Sequence, residues 1–451
     1  MKRLNRRSFL GKAAASSAAA TTFLVVPRHV VSGAVETPPS EKLNIAGIGI
    51  GGMGAGNLRN LAGENNIVAL CDVDEDYAAK TFAEYPQAKR YKDYRVMLEK
   101  QQDIDAVVVA TPDHTHAMIT MAAMRAGKHV YCQKPLTHDV YEARMLAQAA
   151  AETGVVTQMG IQGHSGEGAR QICEWIQAGV IGEVREVDAW CSLTYYPWGH
   201  ASWSSPTGTR PEDTPPVPST LDWDRWLGPA AHRPYHPCYH PRTWRSWWDF
   251  GCGMMGDRGA HTLDPVFWAL KLGHPTSIEG SSTNLNEETH PIGGIVRYEF
   301  PARGDMPPVT VTWYDGLRPP RPTALGREEN LGDTEGGVLI KGSDGMITGG
   351  TYGQRPHLVP ESRMKDFQAP PKTLPRVKGN HEGDWTDAIK NNRQAGASFA
   401  YSGPLTEVAL LGNIAKRMDT KLTWDGAAMQ VTNMASANQY VRTTYREGWS
   451  L

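Results

Sequence analysis

Short apolar runs separated by helix-spaced segments fill the first third of the chain. Ile45-Ala-Gly-Ile-Gly-Ile50 meets a cluster of glycines at once, and Ile67-Val-Ala-Leu-Cys-Asp72 ends on an acid. Ile104–Ala110, His129–Cys132 and Val155–Met159 continue the series of strands. Between them the apolar spacing predicts a first helix completed by Asn57–Gly63. Further helices follow over Asp74–Glu84, Tyr94–Lys100, Ala117–Ala126 and Asp139–Glu152, the last capped by Gly154. Strands alternating with helices in this way predict a doubly wound parallel sheet, with ligands at the carboxyl ends of its strands.

The pattern changes near Ile161. Ala169–Ala178 reads as a helix ended by Gly179, and Glu183–Leu193 alternates as a strand. Tyr196–Phe250 is dense in Pro, Trp, His and Tyr. It holds Trp198, Trp203, Trp223, Trp226, Trp244, Trp247 and Trp248, half of the chain's 14 tryptophans. An irregular segment of this length is uncommon in a compact domain unless it is functional. Tryptophan offers a flat apolar face with a polar edge, which suits the C–H face of a sugar ring. Most of these rings are expected to pin the loop, with Trp248 placed against substrate. Strands return at Thr276–Glu279, Gly294–Phe300, Val309–Tyr314 and Gly337–Ile340 and read as an antiparallel sheet. Asn380–Asn392 and Leu405–Met418 are helical, and no internal repeat is present.

Residues 1–34 follow a different logic. Asn5-Arg6-Arg7-Ser8-Phe9-Leu10-Gly11-Lys12 resembles a twin-arginine export signal. A mild apolar stretch follows over Ala13–Val26, then small residues at Ser32–Ala34. The apolar stretch is shorter than the roughly 20 residues of a membrane-spanning helix. It is therefore excluded from the fold as a targeting segment. It holds no cysteine, so no lipid anchor is expected. The expected destination is the periplasm, reached folded through the twin-arginine export machinery and with any cofactor already loaded.

A length of 451 residues accommodates two domains, and a formal net charge of -2 gives no footprint for nucleic acid or an anionic membrane. The 6 cysteines form no C-x-x-C pair and read as buried thiols, with a disulfide between the later ones left open.

Gly49, Gly51 and Gly54 have the G-x-G-x-x-G spacing of dinucleotide binding, with Gly52 and Met53 inside the same turn. The first glycine permits a tight turn, the second lets the backbone approach a pyrophosphate, and the third lets helix and strand pack closely. Asp72 ends the next strand about 20 residues on, where a carboxylate takes the adenosine ribose hydroxyls. It repels a 2′-phosphate there, so NAD is favoured over NADP.

Together with Gln133-Lys134-Pro135 and Gly256-Asp257-Arg258-Gly259-Ala260-His261, this turn resembles the glucose–fructose oxidoreductase/inositol dehydrogenase/MocA family, in an exported branch. The resemblance spans essentially the whole mature chain. It implies a Rossmann domain over residues 42–160. It also implies a substrate-binding α/β domain over residues 161–451, with a largely antiparallel open sheet and C-terminal helices. The active site then lies between the two. Also implied are NAD(P) chemistry on sugars, cyclitols or similar polyols, and cofactor contacts from Thr111, Pro112, His116, Gln133, Lys134 and Gln162. Some relatives are NAD-dependent glycoside hydrolases that oxidise a ring hydroxyl transiently.

The residue types support that chemistry independently. Removing hydride from an alcohol requires a base for the hydroxyl proton. Lys134 follows a strand end, and a desolvated lysine near a cationic ring loses its proton more easily. Asp257 and His261, four apart, face one side of any helix. His261 can then move a proton while Asp257 orients it or binds a substrate hydroxyl. Lys134, Asp257 and His261 are thus the expected catalytic group, and the expected substrate contacts add His164 and Trp248 to them. The family usually carries Glu where this chain has Gln133. His164 is a second candidate base. The histidines at 164, 200, 232, 236, 240 and 261 match no compact ligand spacing, so no catalytic metal is expected. The expected activity is NAD-dependent oxidoreduction of a sugar, glycoside or cyclitol. The alternative is a redox-neutral NAD-dependent hydrolase or lyase. A homo-oligomer is compatible with either.

Overall fold

The computed structural model describes residues 42–194, 203–326 and 329–451. The export-signal reading of residues 1–34, with Arg6 and Arg7, lies outside the described residues, as do Trp198 and His200.

Six strands, β1 (Asn44–Ile48), β2 (Asn66–Cys71), β3 (Lys89–Tyr91), β4 (Ala106–Val109), β5 (His129–Gln133) and β6 (Thr157–Gly160), pair in parallel in the order β3-β2-β1-β4-β5-β6. That is the Rossmann strand order. Successive side chains point to opposite faces of the sheet. Val107 and Val109 enter one core cluster, and Ala106 and Val108 the other. β3 is a short polar edge strand with no apolar run, so the hydrophobic pattern does not announce it.

The helices of this domain are α1 (Met53–Ala62), α2 (Glu75–Glu84), α3 (Tyr94–Lys100), α4 (His116–Arg125) and α5 (Val140–Thr153). Their ends follow side-chain chemistry. Asp74 accepts from the amides of Asp76 and Tyr77 at the start of α2. Asp139 and Glu142 form a capping box on α5, and Gly154 ends it with φ 67°.

α6 (Glu167–Gln177) leads into the second domain. Its nine-stranded sheet has β7 (Val184–Cys191) near the centre, followed by β8 (Ser277–Thr283), β9 (Gly293–Phe300), β10 (Val309–Asp315), β11 (Gly336–Gly342), β12 (Met346–Gly349), β13 (His357–Val359), β14 (Lys421–Asp425) and β15 (Gln430–Val431). The order is β13-β12-β11-β7-β10-β9-β8-β14-β15. The pairing is antiparallel except between β7 and β10.

Within the aromatic segment, α7 (Trp223–Leu227) nucleates a separate core with Tyr239, Trp244, Trp247 and Phe250. Trp223 stacks on Trp226 at 4.6 Å, so these rings pin the loop to itself. After the aromatic segment comes α8 (Ala260–Ala269), entered through a π-helical turn over Met255–Gly259.

The last helices return to the first domain. Trp385 of α9 (His381–Lys390) is buried in the same cluster as Ile45 and Leu58, and Asn57 of α1 donates to Glu382 at 2.6 Å. α10 (Phe399–Met418) packs on both α5 and β8, and Glu407 accepts a forked pair of 2.9 Å bonds from Arg144. Residues 43–451 consequently form one unit. All six cysteines are buried and unpaired. Among the described residues no helix is long and apolar enough to cross a membrane.

Candidate active site

The turn after β1 is shaped by glycine. Gly49 has φ +76°, and a Cβ there would lie 2.7 Å from the backbone of Ala110. A Cβ on Gly54 would lie 2.1 Å from the carbonyl oxygen of Gly49, so the helix can approach the strand only without one. α1 begins with Gly52 as a cap that contributes no side-chain acceptor, and its first turn carries no acid. The amide groups and the positive end of the helix dipole are left to an anion, which fits a pyrophosphate. Asp72 closes β2 beside this turn. Its carboxylate accepts from the amides of Ile50 at 2.8 Å and Asp74 at 3.0 Å, which fix its direction. Burial pushes its carboxyl up, and those amide bonds oppose the shift.

One cavity of about 810 Å³ joins this turn to the second domain. From the Rossmann domain its lining includes Gly49, Gly51, Gly52, Met53 and Asp72, then Thr111, Pro112 and His116, then Gln133 and Lys134. Gln162, Asp257 and His261 line it from beyond β6. Gly54 lies beneath the turn rather than on the cavity wall.

His116 ties two strand ends together. Its ring nitrogens lie 2.8 Å from the carbonyls of Thr111 and Pro135. The amide of Gln133 donates to Asn57 at 3.0 Å, and Asn57 in turn reaches Glu382. The residue that replaces the family glutamate is therefore held by α1 and α9, and a carboxylate stands at the end of the same hydrogen-bond chain.

Lys134 and Asp257 form an ion pair on the cavity wall, both nearly inaccessible to bulk solvent. Burial holds the Lys134 amine well below its usual range, and the guanidinium groups of Arg245 and Arg258 push it further down. Burial pushes the Asp257 carboxyl up to about 7, while Arg258 opposes the shift. A neighbouring imidazole, His261, is held well below its ordinary value by burial and by Lys134, so it is neutral. Its Nδ1 is buried with no hydrogen-bond partner, and its ring lies 4.6 Å from that of Tyr352.

Asp257 and His261 both line the cavity, as their spacing led one to expect. Asp257 sits in the π-helical turn and pairs with Lys134 across the cavity wall. Two other expected substrate contacts lie elsewhere. His164 bonds Asp264 at 2.8 Å and stacks on Trp268 at 4.3 Å, away from the cavity lining. The Trp248 ring packs 3.7 Å from His290, with its indole N–H bonded to the Asn286 carbonyl at 3.1 Å. Among the described residues no group of three or more His, Cys, Asp or Glu side chains is arranged to hold a metal.

Several lining residues have no motif to point to them. Tyr77 covers the glycine turn from α2, and a Cβ on Gly51 would lie 2.2 Å from its ring. Arg245 and Arg258 flank the Lys134–Asp257 pair, and Tyr352 comes from the turn after β12. The only cues available were that Arg258 sits inside the Asp257-to-His261 motif and Arg245 inside Trp244-Arg245-Ser246-Trp247.

Residues 43–161 match the model of an oxidoreductase family with an NAD-binding Rossmann fold, and residues 166–299 match that family's C-terminal α/β domain. The inositol 2-dehydrogenase of Salmonella paratyphi B is 30% identical over 141 residues, 30% of this chain and 42% of that protein. The dTDP-3,4-didehydro-2,6-dideoxy-alpha-D-glucose 3-reductase of Actinomadura kijaniata is 34% identical over 130 residues, 29% of this chain and 39% of that protein. The chain thus spans about two fifths of the length of these relatives. Two solved structures share the fold. The aldose-aldose oxidoreductase from Caulobacter crescentus, complexed with glycerol, is 16% identical with a TM-score of 0.57, over 85% of this chain and 100% of that one. The WlbA dehydrogenase from Bordetella pertussis, in complex with NADH and UDP-GlcNAcA, is 18% identical with a TM-score of 0.57, over 85% of this chain and 99% of that one.

Proposed function

Because the chain belongs to the glucose–fructose oxidoreductase/inositol dehydrogenase/MocA family of oxidoreductases, we propose that it transfers a hydride between NAD and a ring hydroxyl of a sugar, glycoside or cyclitol. The observation that carries this reading is the buried Lys134–Asp257 pair, set beside a neutral His261 in the cavity that also contains the glycine turn. NAD, when bound, accepts the hydride of the substrate C–H bond or returns it. The chain's own task is the proton. A depressed lysine amine and a raised carboxyl hold one proton between them and can take the hydroxyl proton as the C–H bond breaks. The unpartnered Nδ1 of His261, on a residue of the cavity lining, supports a role in hydrogen-bonding the reacting oxygen or a neighbouring hydroxyl.

Asp72 supports NAD over NADP, since its fixed carboxylate suits ribose hydroxyls and repels a 2′-phosphate. Trp203 and Trp244 offer flat faces on the same cavity for a sugar ring. The Arg6-Arg7 sequence supports a periplasmic location.

A redox-neutral reaction is the second reading, favoured by that export sequence. A folded protein exported with its NAD gains from returning the hydride before product leaves. The first test is direct. Denatured pure protein is analysed for released nucleotide, and a panel of sugars, glycosides and cyclitols is screened for NADH formation. Released NAD and turnover that drops about 100-fold in Lys134→Met and His261→Ala, with nucleotide content retained, are expected. Undiminished turnover in both variants overturns the assignment.

A further inference from the structure

The reacting end of the cavity carries two guanidinium groups with hydrogen-bond donors that nothing in the fold satisfies. Arg258 is paired on one side, with Nη2 2.9 Å from Glu335 and Nη1 donating to the Tyr352 hydroxyl at 2.7 Å, but its Nε is buried with no partner. Arg245 has no carboxylate to itself. Its Nε lies 3.7 Å from Asp257, which is already the partner of Lys134. Its guanidinium lies over Trp244 at 4.2 Å and near Trp203 at 5.5 Å, and among the described residues it makes no hydrogen bond. The Lys134–Asp257 pair is neutral as a unit, Glu335 offsets Arg258, and the buried Asp113 attracts Arg245, so what Arg245 lacks is hydrogen-bond partners rather than counter-charge. Guanidinium N–H groups sheltered from water and left without acceptors are costly unless a ligand supplies them.

The cofactor's pyrophosphate is poorly placed to be that partner, because its seat is the glycine turn after β1. Arg245 and Arg258 instead border Lys134 at the end of β5. The planar fork of Arg245 and the unpartnered Nε of Arg258, beside the reacting centre, match a planar carboxylate, which can accept a parallel pair of bonds from one guanidinium and a further bond from the other.

We propose that Arg245 and Arg258 bind a carboxylate on the substrate, so that the preferred substrates are acidic sugars such as hexuronates and their glycosides. The inference rests on the sugar oxidoreductase reading and narrows it. The ring faces of Trp203 and Trp244 hold the Arg245 guanidinium at the cavity wall by cation–π contact.

The test uses matched pairs that differ only in a carboxylate against a hydroxymethyl group: glucuronic acid with glucose, galacturonic acid with galactose, and their methyl glycosides. Turnover is followed as kcat/KM. Binding is followed separately by quenching of tryptophan fluorescence, to which Trp203 and Trp244 contribute. The acid member of at least one pair is expected to be preferred by about 100-fold. In Arg245→Gln and Arg258→Gln that preference falls by about 10-fold or more, while the NAD content of the purified protein stays at the wild-type level. Preference for the neutral members, no binding of any acid, or a ratio unmoved in both variants overturns the proposal. Loss of NAD in Arg245→Gln also overturns it, since Arg245 would then serve the cofactor. Selective binding of acids without turnover of any sugar keeps the carboxylate site and sinks the oxidoreductase reading instead.

Discussion

Lys134, at the end of β5, is paired with Asp257, in the π-helical turn before α8, so the two domains share one buried proton site. Such a pair titrates as a unit. With the carboxyl pushed up to about 7 and the amine pushed down, raising the pH through about 7 removes the proton that competes with the one taken from substrate. For oxidation, kcat/KM is expected to rise across that pH and level off above it. Asp257→Asn should abolish the rise and lower kcat/KM about 100-fold. A flat wild-type profile, or the same rise in the variant, contradicts the shared site. Stability runs the other way. The folded carboxyl keeps a proton that the unfolded chain loses near pH 4. Its contribution is therefore complete below that pH and is lost as pH climbs through about 7.

Gly51 shows that a motif glycine can answer to a side chain as well as to a ligand. A Cβ there meets the Tyr77 ring at 2.2 Å, whereas one on Gly54 meets backbone at 2.1 Å. A ring can move and a carbonyl cannot. Gly54→Ala is therefore expected to lower the melting temperature markedly, and Gly51→Ala only a little. Adding Tyr77→Ala to Gly51→Ala should restore its stability without restoring bound NAD, if pyrophosphate also needs that space. Recovery of NAD in the double variant would make Tyr77 the sole reason for the glycine.

His114 anchors the aromatic loop to the end of β4, with its ring nitrogens 3.2 Å from the Phe250 carbonyl and 3.0 Å from that of Trp226. Burial lowers its value to about 3, so the folded ring is neutral. Below about pH 6.5 the unfolded chain takes up a proton that the folded ring refuses. Folding stability from this group is thus present above about pH 6.5 and is lost as pH falls toward about 3. Denaturant unfolding at pH 7 and pH 5 should show a loss about 2 kcal/mol greater for wild type than for His114→Gln. Equal losses would mean that other groups carry the acid sensitivity.

Much of this was legible in advance for identifiable reasons. The buried strands of the first sheet are short apolar runs, and the caps at Asp74, Asp139 and Gly154 follow local chemistry, so both are visible in the residues themselves. β3 is Lys-Arg-Tyr at a sheet edge and has no such mark. Asp257 was legible as a site residue but its pairing with Lys134 was not, because the two are more than 120 residues apart and no local spacing records a contact between domains. The Asp264 partner of His164 was not legible, because it is 100 residues away in sequence. Arg245 and Tyr352 reach the cavity through loop conformation alone, which no periodicity records.

The proton site has a consequence for the reaction cycle. Oxidising a ring hydroxyl to a ketone makes the neighbouring C–H bond more acidic, which eases elimination of a glycosidic substituent as an alcohol. Water then adds to the resulting enone, and returning the hydride to the ketone restores the hydroxyl and NAD. The steps need a group that takes a proton and later gives it back without bulk water, and a pair with a depressed amine and a carboxyl near 7 meets that need in both directions. An ordinary dehydrogenase ends its first turnover as bound NADH and requires an acceptor or an exchange of cofactor. Under the second, redox-neutral reading, purified protein without added NAD is expected to release many equivalents of sugar from a glycoside, with no net rise in NADH absorbance. Turnover that halts after one equivalent and resumes only when NAD is supplied would sink the redox-neutral cycle and leave a sugar dehydrogenase.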